Sequence, residues 1–207
     1  MPSARITPDY SHERACGGIR VAGVDEVGRG PLAGPVTAAA VILDPANIPP
    51  GINDSKRLSA AARARLAEAI KASATWAIAH ASVAEIDALN ILQASHLAMR
   101  RALEALDSPA DFALIDGNRL PRGLTIPAQT LVKGDAHSLS IGAASIIAKV
   151  ERDRIMCELS LESPGYGWEK NAGYPSLQHR QALARLGPTP HHRLSFAPLR
   201  KMLCEEH

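Results

Sequence analysis

The chain has 207 residues, of which 46% are hydrophobic and 21% charged, and its formal net charge is +2. This composition is typical of one folded domain with at most a small appendage, and it excludes a mostly disordered chain. The mild positive charge permits a nucleic-acid partner but does not require one. Aromatic residues make up only 3% of the chain, so small and aliphatic side chains must fill the core.

In chain order, a polar and irregular stretch comes first and predicts a flexible arm over residues 1–18. Two apolar segments follow it, separated by the turn Gly28-Arg29-Gly30-Pro31, and predict a pair of strands. In all, five segments predict strands: 19–27, 36–43, 75–81, 112–115 and 128–132. Three helices are predicted to begin at the capping residues Ser59, Ser82 and Ser176; they cover 60–71, a short segment after Ser82, and 176–186. Two longer helices are predicted over 90–106 and 138–160. This order predicts an α/β fold with a mixed central sheet flanked by helices.

The sequence after residue 163 is rich in turns, such as Gly173-Tyr174-Pro175. We therefore divide the chain into the arm, a main domain over residues 19–163 and a small helical C-terminal extension over 164–207. The longest apolar stretch, around residues 36–43, is too short to span a bilayer. Three widely spaced cysteines, no Cys-x-x-Cys pair and no apolar signal region at the start predict a cytoplasmic protein.

Acidic residues stand where the predicted strands end. Asp25 and Glu26 lie at the end of the predicted strand 19–27, Asp116 directly follows 112–115, and Asp135 lies just past 128–132. Strand ends that converge in one sheet would bring these charges together, and a cluster of carboxylates repels itself unless a cation is bound. All-oxygen ligands favour Mg²⁺ or Mn²⁺ over zinc, and Mg²⁺ also binds substrate phosphates. Taken singly, Asp116 and Asp135 are more often ordinary turn residues, whereas Asp25 and Glu26 directly follow an apolar segment and are less easily explained as a turn.

Asp25 and Glu26 raise a geometric difficulty, because neighbours on a regular strand point to opposite faces of the sheet. We therefore expect the chain to bend there, which the following Gly28 and Gly30 would permit. The glycine-rich segment itself is not a dinucleotide-binding loop, since a strand rather than a helix follows it, and it lacks the Gly-Lys-Ser/Thr of a P-loop. Its glycines would let a sugar or a backbone approach closely.

Taken together, the motifs resemble those of the ribonuclease HII family over about residues 19–199. In order, they are Gly23-Val-Asp-Glu-Val-Gly-Arg-Gly-Pro-Leu-Ala-Gly-Pro-Val36, Asn53-Asp-Ser-Lys56, Ile115-Asp-Gly-Asn118, Lys133-Gly-Asp-Ala136, Ser145-Ile-Ile-Ala-Lys-Val150 with Arg152-Asp153, and Gly173-Tyr-Pro-Ser176 with His179 and His192-Arg193. Asn171-Ala172 depart from the His-Lys that many members have before the Gly-Tyr pair.

The resemblance implies a ribonuclease H-like fold and an endonuclease that cuts the RNA strand of RNA–DNA hybrids. It also implies incision 5′ of single ribonucleotides embedded in duplex DNA. Asp25, Glu26, Asp116 and Asp135 match the catalytic and metal-binding acids. Two Mn²⁺ or Mg²⁺ ions would act there and leave a 5′-phosphate and a 3′-hydroxyl. A role in primer removal or in ribonucleotide excision repair would follow, and we expect a monomer that needs no protein partner and no membrane.

The resemblance also implies substrate contacts. Gly28, Arg29 and Gly30 match the loop that contacts the 2′-hydroxyl at an RNA–DNA junction, and Tyr174 matches an aromatic residue that packs on the adjoining deoxyribose. Lys56 and Lys149 are the foremost candidates for phosphate contacts. Other basic residues could serve likewise or be solvated surface charges: Arg57, Lys133, Arg152, Lys170, Arg180 and Arg193.

Three alternative functions remain open from the residues alone. A resolvase-like nuclease would cut DNA without a 2′-hydroxyl. A non-catalytic nucleic-acid-binding domain would be indifferent to Asp25→Asn, and a Rossmann-type enzyme would bind a dinucleotide and ignore hybrids.

Overall fold

A computed structural model describes residues 7–205 and confirms the predicted α/β architecture. The strands are β1 (Val21–Val27), β2 (Val36–Leu43), β3 (Ala74–Ala81), β4 (Phe112–Asp116) and β5 (Ala128–Leu131). The helices are α1 (Ser11–Ala15), α2 (Ala60–Ser73), α3 (Val83–Leu89), α4 (Ile91–Glu104), α5 (Leu139–Glu162), α6 (Trp168–Asn171), α7 (Leu177–Leu186) and α8 (Ala197–Glu205). Short 3₁₀ turns lie at Ser55–Arg57 and Gly134–Ala136.

The strands form one mixed sheet in the order β3-β2-β1-β4-β5. β3, β2 and β1 pair antiparallel, whereas β1, β4 and β5 pair parallel. Every residue of β2 is buried, because α4 covers one face of the sheet and α2 and α5 cover the other. The confirmed mixed sheet brings the ends of β1 and β4 side by side.

The small side chains of the core allow α5 to lie directly on β1. A Cβ added at Gly23 would stand 2.1 Å from the carbonyl carbon of Ser140, so any larger residue would push the helix off the strand. This close packing also holds the face of α5 that contains Ser145 near Asp25, which lies two residues after Gly23 on β1.

The N-terminal stretch differs from the irregular arm expected over residues 1–18. Residues 1–6 lie outside the described part of the chain, but Ser11–Ala15 forms α1. Glu13 is buried, and its Oε1 accepts hydrogen bonds from Ser138 Oγ at 2.6 Å and from Ser140 N at 2.8 Å. Its carboxylate thus binds N–H and O–H groups at the start of α5, where a negative charge is favoured.

The C-terminal extension has more helix than the sequence predicts. Besides α7, it contains α6 and α8, and it encloses a small core of its own around Trp168, Tyr166 and Leu183. Leu32 and Ala33, which follow β1, pack into the same core. Within residues 7–205, none of the helices is both long and apolar enough to cross a membrane.

Candidate active site

Three of the four predicted acids meet at one end of the sheet. One carboxylate oxygen each from Asp25, Glu26 and Asp116 lies within 4.8 Å of the other two. The reason is the register, since β1 and β4 run parallel and pair up to Val24 opposite Ile115. The next residues on the two strands are therefore Asp25 and Asp116, side by side.

The expected bend between Asp25 and Glu26 is absent. β1 continues in regular pairing with β2 as far as Val27, which lies opposite Thr37. The two acids do start from opposite faces, with Asp25 towards α5 and Glu26 towards α4. Because the pairing with β4 has already ended, the edge of β1 is open there, and both carboxylates can reach the same space around it. The expected bend is wrong because the pairing between β1 and β4 ends at Val24, just before the two acids.

Asp135, the fourth predicted acid, flanks this group and is not one of its three members. It lies in the 3₁₀ turn Gly134–Ala136, and Oδ2 is 3.9 Å from the ammonium of Lys56. Burial raises the pKa of Asp135, and the nearby charges of Asp54 and Asp116 raise it further. The same turn holds Asp116 in place, since Gly134 N donates a 2.7 Å hydrogen bond to Asp116 Oδ1.

The cluster is electrostatically strained in the absence of a cation. Asp25 is only 6% exposed, and burial, followed by the charges of Glu26 and Asp116, raises its pKa well above the usual value. Burial likewise raises the pKa of Glu26 to about 7, although Arg29, with Nη1 3.3 Å from Oε1, partly offsets this. Burial also raises the pKa of Asp116. Closely spaced carboxylate oxygens with raised pKa values fit a site for Mg²⁺ or Mn²⁺.

Two serines that sequence reasoning missed support the cluster. The hydroxyl of Ser145, on α5, interacts with the carboxylate of Asp25 and lowers its pKa. Its Oγ also lies 3.0 Å from Ser55 Oγ, which ties the segment carrying Lys56 to the acids. A signal was present in the sequence, because Ser145 interrupts an otherwise apolar run in the longest predicted helix.

The glycine loop and Tyr174 lie together beside the acids. A Cβ at Gly30 would stand 3.4 Å from Cε1 of Tyr174, and Leu32 N donates a 2.8 Å hydrogen bond to Gly173 O. Tyr174 is 46% exposed, so much of its ring faces solvent. Gly28 has φ +95°, and a Cβ there would lie 2.1 Å from Arg152 Nε. Only glycine fits that position.

The predicted basic residues fall into two groups. Arg152 and Arg193 are completely buried, so they are neither phosphate contacts nor surface charges, and both interpretations from the sequence were wrong for them. Lys56 is 84% exposed beside Asp135. Lys149 lies one helical turn beyond Ser145 on the same side of α5, but its ammonium is paired with Asp153 at 2.6 Å. The others are exposed: Arg57, Lys133, Lys170 and Arg180.

A cavity of about 290 Å³ opens on the α4 side of Glu26 and Asp116. Arg29, His96 and Arg119 line it together with the two acids. Burial and the charges of the two arginines lower the pKa of His96. The basic lining is suited to a phosphate group next to the acid cluster.

Comparison with known proteins adds independent information. The sequence model of the family described as Ribonuclease HII matches residues 22–199. The ribonuclease HII of Ruegeria sp. (strain TM1040) is 63% identical over 202 residues, covering 96% of this chain and 88% of that protein. The ribonuclease HII of Paracoccus denitrificans is 62% identical over 202 residues and 96% of each chain. Among solved structures, ribonuclease H2 from Pyrococcus horikoshii OT3 superposes with a TM-score of 0.75 at 27% identity, covering 90% of this chain and 98% of that one.

Proposed function

This chain belongs to the ribonuclease HII family, and from that premise we propose that it incises duplex DNA at a single embedded ribonucleotide. As a member of the family it is a metal-dependent endoribonuclease that cuts the RNA strand of RNA–DNA hybrids. The finer proposal rests on one observation. The acid cluster, the loop of Gly28 to Gly30 and the exposed ring of Tyr174 adjoin one another at the end of β1.

The acids are the proposed catalytic machinery. Asp25, Glu26 and Asp116 would hold the divalent cations, and Asp135 would complete the site from its flanking turn. Two such ions, Mn²⁺ or Mg²⁺, supply an activated water and stabilise the leaving 3′-oxygen in hydrolysis of this type. The resulting ends are a 5′-phosphate and a 3′-hydroxyl. Ser145 keeps the Asp25 carboxylate oriented, and Gly134 N does the same for Asp116.

Recognition of a single ribonucleotide requires that the protein read the 2′-hydroxyl. The loop of Gly28, Arg29 and Gly30 is suited to this, because it offers main-chain polar groups without bulky side chains at its glycines. Tyr174 offers a flat apolar surface beside Gly30, which favours a neighbouring sugar that lacks the hydroxyl. The protein would therefore prefer the junction where RNA gives way to DNA.

The remaining substrate contacts are phosphate contacts. Lys56, which is exposed beside Asp135, is placed to meet a backbone phosphate next to the acids. Lys149 could do so after releasing Asp153, and Arg29 and Arg119 could hold a phosphate in the cavity beside Glu26. We expect a monomer acting in the cytoplasm on RNA–DNA hybrids and junction duplexes.

The deciding experiment uses a duplex with one ribonucleotide and its all-DNA twin, each with Mn²⁺, Mg²⁺ or EDTA. We expect a cut 5′ of the ribonucleotide with either metal, none in EDTA and none in the twin. Asp25→Asn keeps the size of the side chain but removes its charge, and should slow the cut by more than about a hundredfold. Cutting of the all-DNA twin would favour the resolvase-like alternative, and an undiminished rate in the Asp25→Asn chain would refute the catalytic role of the cluster.

A further inference from the structure

Arg193, in the C-terminal extension, binds the loop that follows β1 with its whole guanidinium group. Nε donates to Gly34 O at 2.9 Å. Nη1 donates to Arg29 O and Pro31 O at 3.1 and 2.9 Å, and Nη2 to Gly28 O and Pro35 O at 2.6 and 3.1 Å. A guanidinium has five N–H donors, so every one of them is used within residues 28–35.

Arg152, on α5, binds the same loop through two of its nitrogens. Its Nε donates to Pro35 O at 3.0 Å and its Nη2 to Ala33 O at 3.1 Å. Its Nη1 donates to Ala172 O at 2.9 Å, close to Tyr174. Arg152 therefore links the loop to the turn that carries the exposed aromatic ring.

The two arginines determine which main-chain carbonyl groups of the loop have no hydrogen-bond partner within the protein. Every carbonyl of residues 28–35 except that of Gly30 accepts a hydrogen bond from Arg152 or from Arg193, the main-chain N–H of Arg193 included. Among the described residues, the N–H groups of Arg29 and Gly30 have no hydrogen-bond acceptor either. Within the described part of the chain, the N–H groups of Gly28 and Ala33 also lack an acceptor, but these two residues are buried, whereas Arg29 and Gly30 are exposed. One carbonyl and two N–H groups thus remain on the exposed part of the loop, and Gly30, which carries two of these three groups, adjoins Tyr174.

The burial of two arginine charges costs free energy that a purely structural role would not require. Both guanidinium groups are fully buried, and neither has a carboxylate within 4.0 Å among residues 7–205. Burial lowers the pKa of Arg193 to about 9 and that of Arg152 to about 10, so both stay charged at neutral pH. A buried, unpaired charge is costly, whereas apolar side chains could fill the same space.

We propose that Arg193 and Arg152 are positioning residues for ribonucleotide recognition, which turn the loop carbonyls inward and leave only the Arg29 and Gly30 N–H groups and the Gly30 carbonyl to face the sugar. A 2′-hydroxyl can both donate to the carbonyl and accept from an N–H, whereas a deoxyribose leaves these groups unpaired. The inference rests on the proposed function, because it takes this loop as the part that reads the ribose.

Arg193→Lys tests the proposal in the full-length chain. Lysine keeps the positive charge but has three donors in place of the five of the planar fork. The quantity to measure is the inhibition constant of the all-DNA duplex divided by the KM of the single-ribonucleotide duplex. We expect this ratio to fall about tenfold, the equivalent of about 1.4 kcal/mol for a misplaced hydrogen bond, with the inhibition constant itself little changed.

Arg101→Lys is the matched control, because Arg101 also donates to a carbonyl, that of His80, and to Glu85, but makes no hydrogen bond to the loop of residues 28–35. If the substitution only reduces the amount of folded protein, the apparent kcat falls but the ratio of the two constants is unchanged. We expect this unchanged ratio for Arg101→Lys. An unchanged ratio in Arg193→Lys would overturn the proposal. If the wild-type chain does not cut the ribonucleotide duplex at all, the proposed function fails instead.

A second measurement covers the case in which Arg193→Lys does not fold. Hydrogen exchange at the amides of Arg29 and Gly30 can be followed in the Asp25→Asn chain in EDTA, where we expect the duplex to bind without being cut. We expect the ribonucleotide duplex to protect both amides more than the all-DNA duplex does. Equal protection by the two duplexes would overturn the proposal.

Discussion

Glu26→Gln should stabilise the metal-free protein even as it removes a metal ligand. In the folded chain the pKa of Glu26 is raised from 4.5 to about 7, chiefly by burial. The folded state therefore holds the proton between these two values while the unfolded state has released it. The contribution of Glu26 to stability is therefore largest below pH 4.5, falls as the pH rises towards 7 and is constant above that.

The size of the effect follows from the shift. A difference of about 2.5 pKa units corresponds to about 3 kcal/mol at pH 8, at about 1.4 kcal/mol per unit. Glutamine does not titrate, so the variant avoids this loss. For a domain of this size, the melting temperature in EDTA should rise by about 6–12 °C at pH 8, and the gain should shrink towards zero near pH 5.

Thermal melting in EDTA from pH 5 to pH 8.5 measures the effect, and saturating Mn²⁺ should then stabilise the wild type more than the variant. Glu85→Gln is the control, since hydrogen bonds from Arg101 and the Ser82 main chain lower the pKa of Glu85 to about 2. That substitution should destabilise the protein at pH 8. A melting temperature for Glu26→Gln within about 2 °C of the wild type at pH 8 would contradict a raised pKa of Glu26 in the folded protein.

Three further predictions follow from the site and its supports. Tyr174→Ala should lower kcat/KM on a junction substrate by the equivalent of about 1–3 kcal/mol and affect a uniform hybrid much less; equal losses would contradict the role of the ring. Burial lowers the pKa of His192 to about 4, so the wild type loses stability as the pH falls from about 6.5 to 4. The cost of His192→Asn in urea unfolding should therefore shrink by about 2 kcal/mol between pH 7 and pH 5, and a pH-independent cost would speak against this. Affinity for the hybrid should fall as salt rises, and Lys56→Gln should reduce the slope of log affinity against log salt by about one; an unchanged slope would remove Lys56 from the phosphate contacts.

The parts of the fold that sequence predicts well are those that local chemistry decides. Ser59, Ser82 and Ser176 were predicted to begin helices, and each side chain accepts a hydrogen bond from the main chain of the first turn. Likewise, the run of β2, which is apolar apart from Thr37, reflects burial on both faces of the sheet. The partners of the three capping serines are only a few residues away along the chain, and the apolar composition of β2 by itself indicates that both of its faces are covered.

The parts that sequence did not predict depend on distant partners. The sequence does not distinguish a buried arginine from an exposed one. The acceptors of Arg193 are main-chain carbonyls, which every residue has, so the residue types around them give no indication of the contact. Glu13 is similar, because its partners Ser138 and Ser140 lie more than 100 residues away. The shared space of Asp25 and Glu26 depends on where β4 ends, which the sequence of β1 alone cannot reveal.

The hydrogen bond from Arg193 to Gly28 joins residues that are 165 positions apart in the chain, so it can form only late in biosynthesis. During translation, all four acids have been made once Asp135 is added, but the arginine that shapes the loop comes 58 residues after it. Contacts between such distant positions form late in folding. A nascent or prematurely terminated chain that stops before residue 193 would thus possess every carboxylate of the cluster next to a loop without its anchor.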